Sequence, residues 1–222
     1  MAGQANSLEN IVERTEFGHI INQNRKPIII AGIFIVICAV AFSFYKSQQE
    51  KANEVIASQV YTFEKNELKA LKDKKIDAAE FVTKFQALPN NVLTSPAILP
   101  TLIDSVKTLR NEEKFLQAKD LLESVYPHLS SSSYSFHFVA TYLAVTYEDL
   151  RSWDQAIEVY EKLISSPIKI LEAKIYLDLG RLYLKVKNTD KAKINFQYIV
   201  EKYPNDEMAK SAKLYLRDLE TK

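Results

Sequence analysis

The chain has 222 residues, 47% of them hydrophobic, with four Gly, seven Pro and one Cys, room for one ordinary domain and an appendage. So few turn-forming residues argue against a β-rich fold, and 29 basic against 28 acidic residues leave no concentrated positive field for nucleic acid. Because Cys38 stands alone, no disulfide can close within the chain, which is compatible with an oxidising compartment without requiring one.

Residues 1–26 are polar and their charges sum to zero, which predicts a tail. A short amphipathic helix from Ser7 to Glu16 is open to it, although Asn10 stands where a capping box wants Glu or Gln. Residues 27–45, PIIIAGIFIVICAVAFSFY, hold no charge at all. As a helix these 19 residues span about 28 Å, close to the ~30 Å hydrocarbon layer. Their six Ile, three Phe and two Val favour insertion by about 3–7 kcal/mol. A single transmembrane helix is the expectation.

Three other readings compete. Ala39-Val40-Ala41 has the spacing of a signal-peptide cleavage site, but the apolar run is long and cleavage would leave Phe42 to Tyr45 at the new terminus. A lipoprotein site at Cys38 would have the bulky Ile37 before it. A buried helix of a soluble domain would need apolar partners all round, and nothing else in the chain is comparably apolar. Arg25-Lys26 abuts one end of the span and Lys46 with Lys51 follows the other. That near-tied count tilts toward a cytoplasmic tail and an exported C-terminal domain.

Past the span, Ala52, Val55, Ile56, Val60, Phe63 and Ala70 recur mostly at three- and four-residue steps, predicting a helix from Gln48 to Leu71 that continues the membrane helix. Its stripe packs on its own domain or forms a short coiled-coil seam, so a homodimer stays open. Asp73-Lys74-Lys75 interrupts the pattern, and Ile76 to Leu88 resumes it. Residues 46–95 are thus a long helix and a connecting helical hairpin, closed by the turn-rich Pro89 to Pro96.

Residues 96–222 read as hairpin upon hairpin: Ala97–Leu109 with Phe115–Tyr126, then Tyr134–Leu150 with Trp153–Ile164, then a further pair, and a final helix from Glu207 to Leu219 whose Lys210, Lys213, Arg217 and Glu220 form a polar outer face. Ser152 with Gln155 has capping-box spacing, and Asn188 is a candidate cap 36 residues after Ser152. The same period relates the cores of the last two pairs. Leu143, Ala144, Tyr147, Ala156 and Tyr160 stand 36 residues before Leu179, Gly180, Tyr183, Ala192 and Phe196. A small residue facing an aromatic is what two antiparallel helices need to approach closely.

Tyr176, Leu179, Gly180, Tyr183, Ala192, Phe196 and Pro204 resemble the tetratricopeptide repeat in register. The earlier copy departs from that pattern at Ala140, Ala144 and Pro167. A weaker one before it keeps Leu102, Ala118, Leu122 and Pro127, but has Ser105 and Val106 in place of the Leu-Gly pair. The resemblance implies an all-α fold in which the span is followed by a tetratricopeptide-like α-solenoid. It also implies that the first helix of each unit lines a concave, protein-binding side. The groove positions would be Ile103, Lys107 and Arg110, then Phe138, Thr141, Val145 and Glu148, then Lys174, Leu177, Arg181 and Leu184. That mixture suits an extended or helical peptide, unless the helix of residues 48–71 fills the groove.

Nothing in the pattern points to catalysis. His19, His128 and His137 have no metal-ligand spacing, and the four glycines never cluster into a phosphate-cradling loop. A non-enzymatic chain without metal or cofactor is expected, with His137 a packed structural residue. The layout as a whole resembles the bacterial family of ancillary SecYEG translocon subunits. That resemblance implies a single-pass protein of the bacterial inner membrane with a periplasmic repeat domain. Such an adaptor would hold translocon subunits, periplasmic chaperones or exported clients. An envelope-assembly scaffold and a cytosol-facing precursor receptor are the alternative readings.

Overall fold

In a computed structural model that describes residues 25–221, every regular element among the described residues is helical. The expected tail and the helix from Ser7 to Glu16 lie outside those residues. By contacts the chain divides into two units, Met1–Val55 and Ile56–Lys222. Helix α1 (Arg25–Phe63) begins in the first and ends in the second. Pro27 falls in its first turn, where a missing N–H costs nothing. The described apolar side chains from Ile28 to Tyr45 are all exposed. This is a helix long and apolar enough to cross a membrane.

In the second unit the chain first makes a long helix broken by a phase change. A turn of π-helix (Glu64–Leu68) joins α1 to α2 (Lys69–Lys72), and the residue it inserts shifts the buried stripe. Val60 and Phe63 are buried on one side of it, Leu68 and Leu71 on the other. The regular spacing carried the stripe back to Ala52 and Val55, which are exposed, and passed over Leu68 and Leu71. Helix α3 (Ala78–Gln86) then folds back, capped by Asp77, whose carboxylate accepts from the Glu80 amide at 2.7 Å. Phe63, Phe81 and Phe85 hold this hairpin together, Phe63 meeting the other two at ring-centre distances of 5.5 and 5.6 Å. The joint that follows is not a plain turn: α4 (Asn90–Leu93) and a 3₁₀ turn (Pro96–Ile98) bury Val92, Leu93 and Ile98.

Three further hairpins follow: α5 (Leu99–Asn111) with α6 (Phe115–Val125), α7 (Tyr134–Asp149) with α8 (Trp153–Ser165), and α9 (Glu172–Lys185) with α10 (Thr189–Lys202). Each second helix packs on its own first helix and on the first helix of the next hairpin, and α11 (Glu207–Glu220) closes the series against α10 and α9. The expected bounds hold to within a few residues. Asn188 caps α10 by accepting from the Lys191 amide at 3.1 Å. Ser152 makes no such bond: its side chain leaves the α8 amides uncapped despite the Ser-x-x-Gln spacing.

All four hairpins turn by one device. Lys74, Glu113, Arg151 and Lys187 are left-handed, with φ of 57°, 59°, 56° and 60°. Each donates its amide to the carbonyl three residues back, and the next residue donates to the carbonyl five back, as in Lys187 to Leu184 (3.1 Å) and Asn188 to Tyr183 (2.8 Å). That pair of bonds closes the orphaned carbonyls of a helix end. The first hairpin lacks the repeat's sequence signature, yet ends its first helix in the same way.

Candidate protein-binding surface

The repeat core sets how close the first helices lie to their partners. A Cβ placed on Gly180 would come within 2.5–2.9 Å of the Phe196 ring. Phe196 is fully buried and stacks at 4.8 Å on Tyr215 of α11, so it has nowhere to retreat. One copy earlier the small residue is Ala144, and both it and Tyr160, which stands 36 residues before Phe196, are buried. Tyrosines then tie one repeat to the next. Tyr147 on α7 donates to Glu123 on α6 at 2.5 Å, and Tyr183 on α9 donates to Glu161 on α8. Burial, followed by the carboxylate partner, pushes both phenols up from their ordinary range.

With the helices so fixed, the expected binding positions fall on α5, α7 and α9. Lys107, Phe138, Lys174 and Arg181 are exposed, whereas Ile103, Arg110, Thr141, Val145, Glu148 and Leu184 are half-buried. Phe138, an aromatic left 42% exposed, is the most open apolar one. Leu177 is buried and serves the core. The π-turn and α2 lie beside α5, where Thr101 donates to Glu64 at 3.4 Å and Lys72 pairs with Asp104 at 2.6 Å.

The charges on these helices are mostly neutralised from within. Arg110 donates to Asp149 at 2.7 Å, and the Lys107 ammonium lies 6.0 Å from the Tyr142 ring centre. Asp178, buried on α9, holds Lys174 on one oxygen and Arg181 on the other, the latter at 2.9 Å. Glu148 sits near them and accepts from Tyr160 at 3.0 Å. Burial raises its pKa, the Tyr160 bond and the two cations resist, and Asp178 adds to the rise. For Arg181 burial works against the charge, but Asp178 and Glu148 outweigh it and the guanidinium is held more firmly charged. Tyr142, Asp149 and Asp178 were not singled out from the sequence, and Tyr160 reads there only as a core aromatic of the repeat. Only the i, i+4 and i, i+3 spacing of Lys174, Asp178 and Arg181 hinted at one of them.

Residues 141–166 and 175–206 match the sequence profile of the tetratricopeptide repeat. Those two segments are similar in sequence to tetratricopeptide repeats. The match covers most of the α7–α8 and α9–α10 hairpins, the two whose sequences carry the 36-residue period. Tetratricopeptide repeats form protein-interaction scaffolds rather than catalytic sites. No curated protein matches the chain. No cluster of His, Cys, Asp and Glu able to hold a metal ion occurs among the described residues.

Proposed function

We propose that this chain is a membrane-anchored, protein-binding adaptor of the bacterial inner membrane, working beside the Sec translocon with its repeat domain in the periplasm. The observation that carries the anchoring is the uncharged stretch from Pro27 to Tyr45, whose described apolar side chains are all exposed. An uncovered surface of that size is at home in lipid or against a partner. The binding reading rests on the tetratricopeptide-like repeats and on the exposed Phe138 and Arg181, with the half-buried Val145, of their first helices. Anchoring gives a weak site a high effective concentration of passing chains, so modest affinity suffices.

Photo-crosslinkers at Phe138, Val145 and Arg181 of the full-length protein in cells, followed by purification in mild detergent, test the adaptor role. Adducts with translocon subunits, periplasmic chaperones or exported clients are expected. Adducts with envelope-assembly proteins alone would replace the export reading. Protease protection in spheroplasts tests the orientation, and a repeat domain that resists external protease would turn it round.

A further inference from the structure

The two edges of the repeat stack differ sharply in charge. The four turns inside the hairpins, residues 73–77, 112–114, 150–152 and 186–188, hold nine charged side chains among fourteen residues. The segments that join one hairpin to the next, residues 87–98, 126–133 and 166–171, and the last joint, 203–206, hold two among thirty, Lys169 and Asp206. Because successive helices alternate in direction, the first set lies on one edge and the second set on the other. The chain enters this unit at Ile56, on the charge-poor edge, because the helical run from Ile56 to Lys72 ends in the first charge-rich turn.

The charge-poor edge also carries apolar tips. Tyr134 and Leu171 are 67% and 63% exposed, and their loops are tied together by Ser166, whose hydroxyl donates to the Ser131 carbonyl at 2.7 Å. Leu171 is left-handed, with φ of 53°, and stands at the cap position of α9 without a side-chain cap bond. A Gly or Asn there would serve backbone and cap better. Leucine there instead leaves an aliphatic side chain open at the tip of the loop.

Resting on the membrane-anchored reading above, we propose that this edge is a second membrane contact, in which Leu171 and Tyr134 enter the lipid interface while the charge-rich edge stays in water. A leucine and a tyrosine on a nearly uncharged rim have the chemistry of that zone. The link is short: the ten residues Lys46–Val55 are all that separates the uncharged run from the repeat unit, about 15 Å as helix.

The test uses the full-length protein with Cys38→Ser and one new cysteine, L171C, Y134C, R151C or K187C. Each is labelled with an environment-sensitive dye and reconstituted into phosphatidylcholine and phosphatidylglycerol vesicles, with or without headgroup-spin-labelled lipid. Quenching several-fold greater at positions 134 and 171 than at 151 and 187 is expected. If the protein floats with the vesicles but all four positions are quenched alike, the edge contact is wrong and the anchor stands. If it does not float, both fail together. Shielding at 171 that needs an added protein and shows no quenching by lipid also overturns the contact, in favour of a protein partner.

Discussion

The Phe196 ring occupies the space that any side chain at Gly180 would need. Gly180→Ala therefore sets a gain in helix propensity of about 1 kcal/mol against overpacking of a buried ring. The clash wins, because Phe196 is pinned from behind by Tyr215. A net loss of about 1–3 kcal/mol is expected in urea unfolding. Phe196→Leu in the same chain should recover part of it, and the two changes should be non-additive.

The tyrosine ties between repeats should be measurable one at a time. Tyr147→Phe and Tyr183→Phe each remove a bond to a carboxylate that is partly open to water. The expected loss is about 0.5–1.5 kcal/mol each, at the lower end for a charged acceptor because solvent takes over. Chemical denaturation of the two variants and of the double variant checks this, and near-additive values are expected since the pairs share no residue. Unchanged midpoints would mean the ties hold nothing.

Four non-glycine residues sit in the left-handed region at the hairpin turns. Lys187→Gly and Arg151→Gly relieve that conformation, at the expense of a looser unfolded chain. A net gain of about 0.5–1 kcal/mol is expected from each. Lys187→Ile should instead lower the melting temperature, since a β-branched residue fits this region worst.

His137 is buried, and neither ring nitrogen has a partner in good hydrogen-bond geometry. Burial lowers its pKa, with the Ile170 backbone opposing weakly. A folded-state pKa below the unfolded value means that the unfolded chain binds the proton more readily. Stability attached to this residue is therefore complete above about pH 6.5 and drains away as the pH falls through the folded pKa. Melting temperature followed from pH 7.5 to pH 5 should fall in the parent protein. His137→Leu should flatten that part of the curve.

Glu148 and Asp178 meet as like charges, and Arg181 and Lys174 balance them. Because the folded pKa of Glu148 is raised, its charged form is the one the fold disfavours. Stability tied to it grows as the pH falls through the raised value toward the ordinary carboxylate range. Glu148→Gln keeps an oxygen for the Tyr160 hydroxyl and removes the repulsion, so equal or higher stability near neutral pH is expected. Arg181→Ala leaves Asp178 with Lys174 alone and should be destabilising. A thermal-melt comparison at pH 7 orders the three proteins, and a Glu148→Gln variant weaker than the parent would contradict this account.

Much of the fold was legible in the residues. The 36-residue recurrence of Leu-small-x-x-Tyr and Ala-x-x-x-aromatic specifies antiparallel pairs, because only a small residue opposite a ring lets two helices close. The uncharged run from Pro27 to Tyr45 is likewise legible as a helix long and apolar enough to cross a membrane. Tertiary structure decided the rest. A π-turn at Glu64–Leu68 moved the buried stripe by one residue, and hydrophobic period cannot reveal an insertion of that kind. The cap expected at Ser152 is absent because side-chain geometry, rather than spacing, makes the bond. Leu177 left the predicted surface for the core, and Asp178 became the anchor of Lys174 and Arg181. Those outcomes depend on which side of a helix its neighbours cover, and residues distant in the chain set that.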